Sequence, residues 1–222
     1  MIAVVTGGGR GIGAATVRAL AEAGIRVAFC ARTESEVRAV AKQVGEPHVG
    51  VWGVDVSSAD DVDEWARGVL EDIGVPDVIV NNAGAIVRAR LEETDEAAWD
   101  LVQGVNLKGT YLVTRAFLRQ MRARKSGRII CVSSIAGRQG TAKSVAYCAA
   151  KHGVVGFVRA LAEELRDDGI AVNAVCPGSV ETQMLPQEFA PGMPPEDIAE
   201  TILWLATDAP TTLTGSCIDQ FG

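Results

Sequence analysis

The feature that most constrains the fold of this sequence is a recurrence of short apolar runs, rich in valine and isoleucine, separated by segments of helical spacing. The runs fall at residues 2–5, 26–31, 49–54, 78–80, 128–132, 170–175 and, more weakly, 217–218. They are apolar on both parities, which suits strands covered on both faces, as in parallel sheets. Helical spacing occupies residues 12–23, 34–44, 59–73, 96–123, 145–165 and 196–206. Acids load the first turns at Asp60-Asp61 and Glu196-Asp197, and Gly24, Gly45, Gly74 and Gly169 follow last turns, as helix ends require. A strand-to-helix alternation repeated in this way predicts an α/β fold, a doubly wound parallel sheet with right-handed crossovers.

Composition agrees with one such unit. The 222 residues are 48% hydrophobic and 22% charged, with eight prolines, and no linker, repeat or low-complexity stretch divides them. A single domain spanning 1–222 is expected. The proline-rich stretch 186–195 reads as a surface loop. The net charge of −7 is offset by no basic cluster beyond Arg122-Ala123-Arg124-Lys125, so nucleic acid and anionic membranes are poor partners. Cys30, Cys131, Cys148, Cys176 and Cys217 are odd in number and contain no C-x-x-C pair. They suggest buried thiols in a reducing compartment, with neither disulfides nor a metal site. His48 and His152 are too few for a metal cluster and read as surface or helix residues. Met1 leads straight into an apolar strand with no basic leader, and no stretch approaches the length of a membrane span. A cytoplasmic protein is the expectation.

In a sheet of this kind ligands bind at the carboxyl ends of the strands. After the first run comes Thr6-Gly7-Gly8-Gly9-Arg10-Gly11-Ile12-Gly13, followed by a helix. Glycines there let the backbone turn tightly against a pyrophosphate, whose charge is met by the free N–H groups of the helix N-terminus. The spacing, Gly7-x-x-x-Gly11-x-Gly13, differs from the G-x-G-x-x-G fingerprint, and a purely structural turn is the competing reading. The second strand end supplies the choice of dinucleotide. An acid there holds the ribose 2′-OH of NAD, whereas arginine accommodates the 2′-phosphate of NADP. Here the chain reads Cys30-Ala31-Arg32-Thr33, with no acid at the strand end. Arg32, joined by Arg10, predicts NADP, with NADPH preferred over NADH. A solvated surface arginine is the plainer alternative for Arg32.

The remaining strand ends complete a pattern. Thr6-Gly7-x-x-x-Gly11-Ile12-Gly13, Asp55-Val56, Asn81-Asn82-Ala83-Gly84, Asn106, Ser134, Tyr147-x-x-x-Lys151 and Pro177-Gly178-x-x-x-Thr182 together resemble the short-chain dehydrogenase/reductase family. The resemblance covers essentially the whole chain and points to the single-domain branch that includes β-ketoacyl-carrier-protein reductases, built on the Rossmann fold. By spacing alone, Tyr147 and Lys151 share one helix face a turn apart, and a neighbouring ammonium is expected to lower the phenol pKa toward the working range. Ser133 and Ser134 point to opposite faces of a strand. The resemblance assigns Tyr147 as general acid in reduction, Ser134 as the hydroxyl that polarises the substrate oxygen, and Lys151 as partner of the nicotinamide ribose. It also gives Asn106 the role of bending its helix and holding a proton-relay water. As cofactor contacts it implies Gly7, Gly9, Gly11, Ile12, Gly13 and Thr33 around the phosphates and adenosine, Asp55 and Val56 at the adenine, and Asn82, Ala83 and Gly84 beneath the ribose. Tyr147, Lys151, Pro177, Gly178, Val180 and Thr182 would lie around the nicotinamide.

What the resemblance implies is an NADP-dependent oxidoreductase acting on a carbonyl or secondary alcohol, 3-oxoacyl thioesters included, and assembled as a homodimer or homotetramer. A carrier-linked substrate is also suggested by a short stretch, 183–193, where relatives usually place a longer substrate lid. The closing Asp219-Gln220-Phe221-Gly222 departs from the more usual Asp-Gly-Gly. Two other readings are an epimerase or dehydratase of the extended branch and a cofactor-binding sensing or assembly protein with vestigial chemistry. The intact Asn106, Ser134, Tyr147 and Lys151 set favours a working enzyme. Arg88, Arg90, Arg138 and Gln139 are open between substrate contact and solvated surface.

Overall fold

The computed structural model describes residues 1–184 and 191–221. Seven strands, β1 (Ile2–Thr6), β2 (Arg26–Ala31), β3 (Val49–Trp52), β4 (Val78–Asn81), β5 (Gly127–Val132), β6 (Ile170–Pro177) and β7 (Cys217–Gln220), form one sheet in the order β3-β2-β1-β4-β5-β6-β7. Every pairing is parallel. All residues of β4 and β6 are buried, because helices cover both faces. On one face α1 (Gly11–Glu22), α2 (Glu34–Val44) and α7 (Pro195–Thr207) contribute Val17, Leu20, Val37, Val40, Ile198, Ile202 and Leu205 to the core. On the other, α3 (Ala59–Asp72), α5 (Gly109–Arg124) and α6 (Val145–Glu164) contribute Val62, Trp65, Val69, Leu112, Phe117, Val158 and Leu161.

The local signals act as their chemistry requires. Gly24, Gly45, Gly74 and Gly169 all take positive φ at helix ends, and the Ser58 hydroxyl accepts the Asp61 N–H to cap α3. Several expectations need correction. The helical segment 96–123 is two helices, α4 (Glu96–Gln103) and α5, joined by a π-turn at Gly104–Lys108. Asn106 lies inside that turn, where its side chain donates to the Val102 and Ala85 carbonyls. The wider turn accommodates a side chain inserted into the backbone ladder. The third strand stops at Trp52, and the weak seventh run extends to Gln220, since its neighbour β6 supplies hydrogen-bonding partners along that length. Cys148 and Cys217 are half-buried, and only Cys30, Cys131 and Cys176 are buried. His48 is structural, its Nδ1 accepting the Val27 N–H at 3.1 Å.

The basic run at the end of α5 is matched by acids, with Arg122 paired to Asp168 and Glu164 and Arg124 to Asp77. Among the described residues, no helix is long and apolar enough to cross a membrane, and no cluster of three or more His, Cys, Asp or Glu is placed to hold a metal. Within 183–193, residues 185–190 lie outside the described ones, as does Gly222. Val180 and Met193 form a parallel bridge across the described ends of that stretch.

Candidate active site

The strand order reverses between β1 and β4, and at such a switch point the loops diverge to leave a crevice. A cleft of about 1330 Å³ runs across it. Every cofactor residue expected from the sequence lines this cleft, from Gly7 and Arg10 at one end to Tyr147, Lys151 and Thr182 at the other. Ser134 lines it as well; Asn106 sits one layer behind, against Gly84.

The glycine turn is held from below. The Thr6 hydroxyl accepts the N–H groups of Asn82 and Ala83 at 3.1 Å, while Asn82 Nδ2 donates to the carbonyls of Thr6 and Gly7. Gly11 has φ +52°, and a Cβ on Gly13 would fall 2.1 Å from the Gly7 carbonyl oxygen. The turn therefore tolerates no side chain at Gly13, and at Gly11 the left-handed backbone favours glycine. The first turn of α1 holds no acidic residue and its N-cap makes no side-chain capping bond, so its free N–H groups and positive dipole end face the cleft. This cradle fits a dinucleotide pyrophosphate on geometry, charge and donor chemistry.

At the second strand end Arg32 and Thr33 are exposed and border the cleft. Arg10 is tied to Glu36 at 3.4 Å and also donates to Gln183. The strand ends do not point to Glu36, because it sits on the first turn of α2 rather than at the end of β2. The usable signal was its distance past the glycines, since an acid about 20 residues on is the one that meets the ribose. Asp55 has a structural duty, its Oδ1 accepting the N–H and hydroxyl of Ser57, and Val56 is buried beside it. Gln220 anchors the closing segment. Its backbone oxygen accepts the Gly178 N–H, and its side chain accepts from the Thr201 hydroxyl and donates to the Asp197 carbonyl. Phe221, which no motif marked, consequently lines the cleft beside Gly178.

At the other end Ser134 follows β5 and caps a 3-10 turn, Ile135–Gly137, its hydroxyl accepting the Ala136 N–H. Ser133 also borders the cleft and donates to the Lys151 carbonyl at 3.0 Å; the expected placement of the two serines on opposite faces of a strand does not apply, because β5 ends at Val132 and both follow it. Lys151 is only 3% exposed. Its Nζ donates to the Val132 carbonyl at 2.9 Å and lies 5.5 Å from the centre of the Tyr147 ring. Burial lowers the ammonium pKa to about 8. Burial also raises the Tyr147 phenol above its ordinary value; the Ser134 hydrogen bond and the Arg88 charge oppose this without reversing it. The expected lowering of the phenol pKa by Lys151 is thus overturned. Desolvation of the phenolate outweighs the stabilising charges around it, and Tyr147 holds its proton throughout the neutral range. Asn106 Oδ1 is buried and accepts no hydrogen bond from the described residues; a Cβ on Gly84 would fall 3.1 Å from it and 3.8 Å from Lys151 Nζ.

A doubly wound sheet with a glycine cradle and a Tyr-x-x-x-Lys helix in one cleft defines a class of single-domain oxidoreductases that work with a dinucleotide. The chain belongs to the short chain dehydrogenase family, whose model matches residues 1–191. It is 38% identical over 236 residues to acetoacetyl-CoA reductase of Rhizobium meliloti (strain 1021), covering 100% of this chain and 97% of the relative. It is also 38% identical over 242 residues to 3-oxoacyl-[acyl-carrier-protein] reductase of Synechocystis sp., covering 100% and 95%. Its backbone superimposes on a variant of actinorhodin polyketide ketoreductase crystallised with NADPH, with a TM-score of 0.94 at 34% identity over 100% of this chain and 95% of that one.

Proposed function

We propose that this oxidoreductase is an NADPH-dependent reductase of 3-oxoacyl thioesters, carried on coenzyme A or on an acyl carrier. The observation that carries the reading is the convergence of Ser134, Tyr147 and Lys151 in the same cleft as the glycine turn. Gly9, Gly11, Ile12 and Gly13 would hold the phosphates, Arg10 and Arg32 the 2′-phosphate, and Asp55 and Val56 the adenine. Asn82, Ala83 and Gly84 would support the ribose, with Pro177, Gly178, Val180 and Thr182 around the nicotinamide. When bound, NADPH supplies the hydride, with its electron pair, that converts the carbonyl carbon to a secondary alcohol carbon.

The remaining chemistry falls to side chains of this chain. The Ser134 hydroxyl donates to the substrate carbonyl oxygen and polarises it. Tyr147 Oη gives its proton to that oxygen as negative charge develops, a role suited to a phenol that burial keeps protonated. Lys151, charged below about pH 8, holds the nicotinamide ribose and stabilises the phenolate left behind. Asn106 Oδ1, an acceptor with no partner among the described residues that borders Gly84 as Lys151 Nζ does, is suited to a solvent molecule that returns a proton to Lys151 and Tyr147.

The sequence gives only eleven residues, 183–193, where relatives usually carry a longer lid, which favours a carrier-linked substrate. Exposed Trp99 and Leu101 on α4, Tyr111 on α5 and Val145 on α6 support a homodimer or homotetramer. Five free cysteines support residence in the reducing cytoplasm. The test is consumption of NADPH with acetoacetyl-CoA by wild type and Tyr147→Phe. Turnover that falls by about 10²–10⁴-fold in the variant, as loss of a general acid entails, with NADPH still bound, supports the reading. Undiminished turnover refutes the role of Tyr147, and no turnover by wild type refutes the substrate class.

A further inference from the structure

Glu36 stands where two recognition chemistries meet. Its carboxylate pairs with Arg10 Nη1 at 3.4 Å, and the two side chains keep 26% and 49% of their surface exposed. It also lies against the glycine turn: a Cβ on Gly9 would fall 3.0 Å from Glu36 Cβ and 3.5 Å from Oε2. Arg10, Arg32 and Glu36 border the same end of the cleft. That end therefore combines two guanidiniums, suited to a phosphate dianion, with a carboxylate, suited to accept from a ribose hydroxyl.

The carboxylate acts on the phosphate in two ways of the same sign. It occupies Arg10, which must give up that pair to engage an incoming phosphate, and it repels the dianion directly. Toward a free ribose 2′-hydroxyl both effects vanish, and Glu36 becomes a favourable acceptor. We infer that Glu36 sets the dinucleotide selectivity of this chain, holding down its preference for NADPH and retaining NADH as a competent ligand. The inference rests on the dinucleotide reading above and concerns a residue outside the catalytic group.

The test is a fluorescence titration of NADPH and NADH on wild type, Glu36→Gln, Arg10→Gln and the double variant, with melting temperatures recorded alongside. Glu36→Gln is expected to tighten NADPH by about three- to tenfold, the scale of a partly exposed charge interaction, and to weaken NADH. In the Arg10→Gln background the gain for NADPH should shrink, because part of it comes from releasing Arg10. Affinities that move together for both dinucleotides, that do not move, or that shift toward NADH overturn the inference while leaving the cofactor reading intact. Wild type binding neither dinucleotide would overturn the cofactor reading, and this inference with it.

Discussion

The two ends of the cleft solve recognition differently. Around β1, β2 and α2 the site is built from backbone and from solvent-accessible charges, the exposed Arg10 and Arg32 and the half-buried Glu36. Around β4, β5 and α6 it is built from buried polar side chains: Asn106 is 1% exposed, Ser133 3% and Lys151 3%, each fixed to backbone carbonyls. Burial without those bonds would be costly, so each group has few alternative positions. Chemistry that needs atoms held within fractions of an ångström is thus placed where packing over-determines them, while the choice between two cofactors is left to surface charges that can change without disturbing the core.

The largest effect is expected from altering the rigid backbone that both ends share. In Gly13→Ala the new Cβ would meet the Gly7 carbonyl oxygen at 2.1 Å and Asn82 Nδ2 at 2.4 Å, atoms that cannot retreat without breaking the turn. A loss of stability of about 3 kcal/mol is expected, together with loss of dinucleotide binding. Gly68→Ala on α3, where nothing lies within 4 Å of the new Cβ, should gain about 0.5–1 kcal/mol. Thermal denaturation of the two variants checks both signs. A Gly13→Ala protein that melts and binds like wild type would show that the cradle is not rigid.

Next in size is Lys151→Met, which tests whether the buried end trades stability for chemistry. Turnover should fall about a hundredfold or more, yet the protein should become more stable at pH 7, by on the order of 1–3 kcal/mol. The sign follows from the lowered pKa. Below about pH 8 Lys151 is charged in both native and unfolded chains, and only the native state bears the cost of burying the charge. Between about 8 and the ordinary lysine pKa near 10.4, the unfolded chain binds the extra proton, so wild-type stability rises with pH. The advantage of Lys151→Met should therefore shrink across that window. Denaturant unfolding of both proteins at pH 7 and pH 9.5 reads the difference, and an advantage that grows with pH would contradict the burial argument.

The same contrast explains what was legible in the sequence. The strands and helices emerge within a residue or two at most ends because two-sided burial writes continuous apolar runs and helix ends write glycines. The catalytic set is legible as spacing where one helix turn separates Tyr147 from Lys151; the two serines are not separated by strand parity, because β5 ends at Val132 and both follow it. The π-turn at Gly104–Lys108 left no trace in the apolar periodicity, which continues through it. The direction of the phenol pKa is not legible in the sequence, which places Lys151 beside Tyr147 but does not show that desolvation outweighs the charges around the phenol. The strand ends do not point to Glu36, which approaches from the first turn of α2 and is marked only by its distance past the glycines; the closing segment stands out only as a departure from Asp-Gly-Gly, and Phe221 reaches the cleft through the anchoring of Gln220.

The smallest expected effect probes the exposed end alone. Arg32 is exposed and borders the cleft, so its contact with a 2′-phosphate is screened by solvent and worth far less than a buried pair. Arg32→Ala should weaken NADPH by about five- to tenfold, leave NADH within about twofold, and lose most of its effect at high salt. Because Arg32 and Lys151 lie at opposite ends of the cleft and share no partner, the effects of Arg32→Ala and Lys151→Met on NADPH affinity should add in the double variant. Titration of wild type, the two single variants and the double variant closes the cycle. A coupling beyond about 0.5 kcal/mol would mean that the charge-reading end and the buried end are not independent, and that changing cofactor choice disturbs the catalytic geometry after all.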